Sequence, residues 1–134
     1  MSVARYLVDT SAWVRYPEQD VGARLDELLA AGMVATTVVV ELQLLSAIGD
    51  PATYARVAGL RRAAVQVLET TEADFRRALE VQATLVEREQ TGAAWSALVV
   101  AATAERHGAV LLHCDGGLDV TASVTQQVTD RVAR

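Results

Sequence analysis

The sequence predicts an α/β fold with a central, mainly parallel sheet, on the strength of two observations. Short apolar runs of strand length alternate with longer segments of helical periodicity along almost the whole chain. A chain that alternates strands and helices in this way places its strands side by side in parallel and packs the helices on the sheet. Two of the apolar runs end near an aspartate, and in such folds ligands bind at the carboxyl ends of the strands.

The strands are predicted from apolar runs that lead into polar or turn residues. One run ends at Asp9, and another leads into Cys114-Asp115-Gly116-Gly117, which is a turn sequence. The four predicted strands are residues 5–8, 33–35, 65–68 and 109–113.

The helices are predicted from apolar spacing, capping residues and glycine stops. Gly32 and Gly108 each follow a helical segment, and the pair Thr71 and Asp74 has the form of a capping box. The predicted helices are residues 12–16, 21–31, 38–48, a helix that starts at residue 51, then 72–89 and 95–106.

Length, composition and charge limit the class of protein. The 134 residues, 51% of them apolar with 2 prolines and 8 glycines, predict one globular domain over residues 1–134 and exclude a disordered chain. The opening segment becomes acidic too soon, at Asp9, to form a signal peptide or a membrane span, and the single Cys114 cannot form an internal disulfide. We therefore expect a cytoplasmic protein with no membrane partner.

The net charge of −5 argues against a protein that coats nucleic acid by simple electrostatics. It leaves room for an RNA enzyme, because a chain that binds divalent metal must carry clustered carboxylates. The pairs Arg61-Arg62 and Arg76-Arg77 could form a phosphate-binding patch, or they could be ordinary solvated helix faces.

Glu41 is a carboxylate in the middle of an apolar helix stripe. Val38, Leu44, Leu45 and Ile48 lie within about 60° of it at 100° per residue. Because an unpaired buried charge is costly, such a residue needs a cationic partner, a metal or a strongly shifted pKa. A structural glutamate paired with arginine, or one with a solvated head at the edge of a cleft, stays open beside a functional role.

Asp9 and Asp115 each have an ordinary structural alternative as well. Asp9 can cap the following helix, although Ser11 could do so and leave Asp9 free, and Asp115 can be a turn residue. Together with Glu41 they predict a site for a hard divalent cation such as Mg²⁺ or Mn²⁺, which takes carboxylate oxygens from several elements of one scaffold.

The order of these motifs resembles a known family, the PIN-domain nucleases, and the size of the chain resembles the VapC toxins of VapBC toxin–antitoxin modules. The four motifs are Leu7-Val8-Asp9-Thr10-Ser11-Ala12, Thr36-Thr37-Val38-Val39-Val40-Glu41-Leu42, Leu98-Val99-Val100-Ala101-Ala102 and Val110-Leu111-Leu112-His113-Cys114-Asp115. The resemblance implies a PIN-like three-layer α/β/α domain with a sheet of four or five strands.

The resemblance also implies an activity and partners. It points to a Mg²⁺- or Mn²⁺-dependent endoribonuclease that cleaves RNA phosphodiester bonds, forms a homodimer and is held inactive by a cognate VapB-type antitoxin. It assigns metal ligation to Asp9, Glu41 and Asp115, with Ser11 or Thr10 as auxiliary residues.

The chain departs from the family at Ala97, where the family carries its third catalytic aspartate. A cluster of four acids becomes one of three, and the resemblance then implies an inactivated chain. Natural loss and deliberate substitution both stay open, and the intact neighbouring motifs favour the second. Gly117 stands where many relatives carry a further acid, with Asp119 close enough to be an auxiliary ligand.

Two other classes of function stay open. A catalytically dead PIN module that survives as a binding protein is supported by Ala97 and opposed by the three retained acids. A response-regulator-like or phosphatase domain would need a second acid beside Asp9, which Thr10 and Ser11 do not provide.

Overall fold

A computed structural model describes residues 5–90 and 93–132, and its centre is a five-stranded sheet. The strands are β1 (Tyr6–Val8), β2 (Val34–Thr36), β3 (Gln66–Val67), β4 (Val110–His113) and β5 (Thr129–Arg131). They lie in the order β3-β2-β1-β4-β5, and every pairing is parallel. The predicted α/β class with a mainly parallel sheet of four or five strands is confirmed.

The described residues form seven helices around this sheet. They are α1 (Thr10–Trp13), α2 (Gln19–Ala30), α3 (Val38–Leu45), α4 (Pro51–Ala64), α5 (Glu72–Glu87), α6 (Trp95–His107) and α7 (Gly116–Thr125). None of the helices in the described ranges is long and apolar enough to cross a membrane. Residues 1–4 of the opening segment considered above lie outside the described residues.

Local capping explains where several helices begin and end. The Thr37 side chain accepts the Val40 N–H at the start of α3, and Thr71 with Asp74 forms the predicted capping box of α5. Gly108 follows α6 in the left-handed region, at φ 66°, where a side chain would be strained.

Each face of the sheet is covered by a buried cluster, and a third cluster lies between α5 and α6. Leu7 and Leu111 belong to a buried cluster with residues of α6, whereas Val8 and Leu112 belong to a second cluster with residues of α2. Successive strand residues point to opposite faces, so the alternation within β1 and β4 serves both layers. Because both faces are covered, these strands read as continuous apolar runs.

Two elements, the bounds of α1 and α3, and one helix face differ from the predictions. The predicted turn after β4 contains the start of α7, and the edge strand β5 was not predicted because its sequence is largely polar. Val38 is 55% exposed, so its predicted place on a buried stripe is wrong. The helix instead buries Val40, with Val39 and Leu44 packed against the core.

Candidate functional site

The three predicted acidic positions follow three adjacent strands. Asp9 comes directly after β1, Asp115 follows β4, and the end of β2 leads into the helix that carries Glu41. Because β2, β1 and β4 are parallel neighbours, their carboxyl ends meet at one edge of the sheet. Two hydrogen bonds connect the β1 and β4 ends, from the Asp9 N–H to the Leu112 carbonyl at 2.9 Å and from the Cys114 N–H to Ser11 Oγ at 3.0 Å.

Asp9 is almost fully buried, at 5% exposure, and it caps α1. Its Oδ2 accepts the Ser11 N–H at 3.0 Å. The alternative in which Ser11 caps the helix is wrong, because α1 begins at Thr10, two residues before the predicted start, and the Ser11 hydroxyl accepts from Cys114 instead. Within the described residues the other carboxylate oxygen of Asp9 accepts no hydrogen bond.

Asp115 caps α7 in the same way, with Oδ1 accepting the Gly117 N–H at 2.9 Å. Its own N–H donates to Nδ1 of His113 at 3.0 Å. His113 is fully buried at the end of β4. Nδ1 accepts this bond, so the ring holds the Asp115 backbone through this nitrogen.

The predicted auxiliary residue Asp119 lies in the first turn of α7, the helix that Asp115 caps, and it contacts His113 and Arg131. Its Oδ1 is 3.2 Å from His113 Nε2, although the alignment is too poor for a hydrogen bond, and its Oδ2 accepts from Arg131 Nη1 at 3.0 Å. Asp119 therefore connects β5 to the ring that holds the Asp115 backbone.

Glu41 is paired with arginine, which was one of the alternatives left open by the sequence. Arg61 Nε donates to Oε1 at 2.7 Å and Nη2 donates to Oε2 at 2.9 Å, while the Thr36 hydroxyl donates to Oε2 at 2.7 Å. The two charged side chains are only 15% and 18% exposed, for Arg61 and Glu41 respectively. The Arg61 guanidinium also lies over the Trp13 ring, 4.3 Å from its centroid.

Ala97 occupies a buried position in the first turn of α6, at 7% exposure. It belongs to the same core cluster as Leu7, which lies two positions before Asp9, Val40, which precedes Glu41, and Leu118, which lies three positions after Asp115. Position 97 is therefore part of the buried layer between α6 and the sheet.

A polar bridge joins three helices beside Ala97. The Thr10 hydroxyl donates to Gln43 Oε1 at 2.7 Å, and Gln43 Nε2 donates to Ser96 Oγ at 2.9 Å. Thr10, predicted as an auxiliary residue, thus contacts α3 through a neutral amide. Gln43 is about 200° around its helix from Glu41, so the two side chains of α3 serve different neighbours.

These residues fit a divalent cation only in part. Asp9 and Asp115 each use one carboxylate oxygen in a helix cap and retain the other as a hard oxygen donor. Glu41 does not fit in this arrangement, because Arg61 and Thr36 engage both of its oxygens. Over the described ranges, no three His, Cys, Asp or Glu side chains are grouped so that they could hold a metal ion.

Sequence reasoning predicted Gln43 on the face of α3 opposite Glu41 and His113 as a polar group at a strand end, but it missed the contacts that Arg61, Gln43 and His113 make. The sequence marked Arg61 only as half of the basic pair Arg61-Arg62. The arginines of the other basic pair also form ion pairs, Arg76 with Glu72 and Arg77 with Glu80 and Glu105. The one available signal was the buried glutamate itself, which required a cationic partner without identifying it.

The comparisons with known proteins agree with this architecture. The family model described as PIN domain matches residues 6–124. Ribonuclease VapC51 of Mycobacterium tuberculosis is 34% identical over 123 residues, which cover 92% of this chain and 89% of that protein.

Two solved structures show the same fold at low sequence identity. DNA-bound VapBC from Salmonella typhimurium aligns with a TM-score of 0.74 and 11% identity, covering 96% of this chain and 98% of that chain. VapBC-1 from nontypeable Haemophilus influenzae aligns with a TM-score of 0.73 and 16% identity, covering 94% of this chain and 96% of that chain. The chain belongs to the PIN-domain family and, within it, to the VapC group.

Proposed function

We propose that the chain is a VapC-type toxin, a divalent-metal-dependent endoribonuclease whose acidic site is incomplete at Ala97. The observation that carries the proposal is the position of Asp9, which is buried, and Asp115, which is half-buried, just beyond the ends of the adjacent strands β1 and β4. The relative at 34% identity is named a ribonuclease. A divalent cation bound at such a site supplies electrostatic stabilisation of charge that develops on a phosphate.

The chain's own residues would divide the work at this site. Asp9 and Asp115 each offer one oxygen as a ligand while the helix cap holds the other in place. His113 orients the Asp115 backbone through Nδ1. Ala97 offers no oxygen and Arg61 engages Glu41, so two carboxylates remain where a four-acid site provides four, and both cation affinity and cleavage should be weak.

The test restores the missing acid and measures RNA cleavage. Ala97→Asp should cleave RNA in the presence of Mg²⁺ or Mn²⁺, and EDTA should abolish the cleavage. Ala97→Asn has the same shape without the charge and should stay inactive, as should Ala97→Asp combined with Asp9→Asn. If Ala97→Asp does not cleave substrates that a related toxin cuts, the ribonuclease proposal fails.

A catalytically dead binding module is the second candidate, and two observations favour it. Ala97 removes one acid, and Arg61 engages another, Glu41. This candidate predicts that Ala97→Asp folds, yet stays inactive and does not respond to cations. The cleavage experiment above therefore separates the two functions.

The proposed antitoxin partner has a suitable groove beside the acidic edge. The groove lies between α1, α3 and α4 and is lined by Trp13, Tyr16, Leu44, Leu45, Val57 and Arg61. Its aromatic and aliphatic walls suit the apolar side of an amphipathic segment, which we assign to a VapB-type antitoxin. Copurification with the product of the adjacent gene tests this partner, and Val57→Asp should abolish it while the fold is retained.

The proposed homodimer is supported by a separate apolar face. Five large apolar side chains of α3, α5 and α6 are between 45% and 65% exposed. They are Val38, Leu42, Phe75, Leu79 and Trp95. Phe75 lines one cavity with Val38 and Leu42 and another with Leu79 and Trp95, so the five side chains form one face. Such a face on a small protein marks a surface that a partner covers, and the proposal assigns it to a second copy of the chain.

A further inference from the structure

The pair of Glu41 and Arg61 joins two helices that are otherwise only lightly packed together. Glu41 lies in α3, whereas Arg61 lies in the last turn of α4. Both nitrogens of the guanidinium fork that face Glu41 donate at 2.7 and 2.9 Å, so the pair has the bidentate geometry of the strongest ion pairs. Both side chains are more than four-fifths buried, which reduces the screening of the pair by water.

Two neighbours hold the pair in this geometry. The Trp13 ring lies under the guanidinium, 4.3 Å from its carbon to the ring centroid, and adds a cation–π contact. The Thr36 hydroxyl donates to Oε2, the oxygen that also accepts from Arg61 Nη2. A carboxylate accepts at about four lone-pair positions, and three of those of Glu41 are occupied.

This arrangement conflicts with a role for Glu41 as a metal ligand. A cation that approached the carboxylate would meet a positive guanidinium on the same two oxygens, and two positive charges that share one carboxylate repel strongly where the side chains are largely buried. Glu41 can therefore bind Arg61 through both oxygens or coordinate a cation, but it cannot do both at once.

We propose that Arg61 is a built-in counter-ion that competes with the divalent cation for Glu41, so that the second acidic position is closed until the Arg61 fork opens. The inference rests on the proposed function in one respect, since it takes the acidic edge to be a cation site. In this proposal Arg61 holds the Glu41 carboxylate, a role that neither the fold nor the basic pair Arg61-Arg62 implies.

The test measures Mn²⁺ binding to the full chain by electron paramagnetic resonance of free Mn²⁺. Arg61→Met retains the aliphatic stem and removes the guanidinium fork. The variant should bind Mn²⁺ about tenfold more tightly, because a tenfold change in affinity corresponds to the free energy of about one charge-assisted hydrogen bond. Arg62→Met is the matched control, because Arg62 is exposed in the same helix and its removal changes the net charge equally. The control should stay within about twofold of the unmodified chain, since exposed charges are screened.

A second variant and a spectroscopic signal cover the case in which Arg61→Met fails to fold. Arg61→Lys retains the charge and loses the bidentate fork, and it should bind Mn²⁺ with an affinity between those of the other two chains. In the unmodified chain, adding diamagnetic Mg²⁺ should shift the Arg61 Nε–H resonance away from its hydrogen-bonded position. A purely structural pair would leave that resonance unchanged.

The outcomes separate this inference from the proposed function. If Mn²⁺ binds and the binding requires Asp9, but Arg61→Met is no tighter than Arg62→Met, only the role of Arg61 is overturned. If no variant binds Mn²⁺, including Ala97→Asp, the metal-dependent function fails and the inference fails with it. If Arg61→Met binds Mn²⁺ more tightly and Arg62→Met does not, the result supports both the cation site and the role of Arg61.

Discussion

Replacing Ala97 by aspartate tests the reasoning about the site most directly, because it changes the stability of the chain as well as its chemistry. The side chain at position 97 is 7% exposed and packs with Leu7, Val40 and Leu118. A carboxylate there loses most of its hydration. In the described residues of the preceding helical turn, Ser96 is the one hydroxyl-bearing side chain.

The expected magnitude follows from this burial. Leaving a charged group buried without a partner costs about 2.5 kcal/mol or more. For a domain of this size, each kcal/mol shifts the melting temperature by about 4 °C, so Ala97→Asp should melt about 10 °C lower without divalent cation. A cation at a concentration of 100 times its dissociation constant stabilises the folded chain by about 2.7 kcal/mol, which is enough to offset this loss of stability.

The assay is thermal unfolding of the two chains with EDTA and with saturating Mn²⁺. Ala97→Asp should melt lower in EDTA and regain the difference in Mn²⁺, whereas the Ala97 chain should respond much less. Ala97→Asn introduces a polar group of the same shape without the charge, so it should lose stability and regain little of it. The reasoning is refuted if the melting temperature of Ala97→Asp is no more sensitive to Mn²⁺ than that of Ala97→Asn.

Three further predictions concern positions outside the acidic triad. Burial raises the pKa of Asp74, but hydrogen bonds from Arg106 and the Thr71 N–H outweigh it and leave the pKa below its ordinary value. The stabilisation is therefore complete above the ordinary aspartate range and is lost as the pH falls through the lowered pKa. Asp74→Asn should cost about 2 kcal/mol in urea unfolding at neutral pH and flatten the acid dependence, and an unchanged acid limb would contradict the assignment. His113→Asn retains an acceptor for the Asp115 N–H, whereas His113→Leu does not, so Mn²⁺ titration in the Ala97→Asp background should show about tenfold weaker binding only for leucine. Leu79→Lys on the exposed apolar face should convert a dimer to a monomer in sedimentation experiments, and a monomeric unmodified chain would exclude the dimer.

The local features of the chain were predictable because their causes lie within a few residues. The helix that follows Thr37, the capping box at Thr71 and the stop at Gly108 depend on side-chain to backbone hydrogen bonds or on backbone conformation at one position. The apolar runs of β1 and β4 followed from burial on both faces of a parallel sheet. The order of the acidic motifs along the chain was likewise visible without a structure.

The tertiary structure alone decided how those motifs are used. Arg61 pairs with Glu41 across 20 positions, and the polar bridge from Thr10 through Gln43 to Ser96 joins residues of three helices. The exposure of Val38 and the polar edge strand β5 depend on which elements pack beside them. Hydropathy and capping act over one or two turns of chain, whereas the partner of a buried charge is selected by the packing of distant helices, which has no period in the sequence.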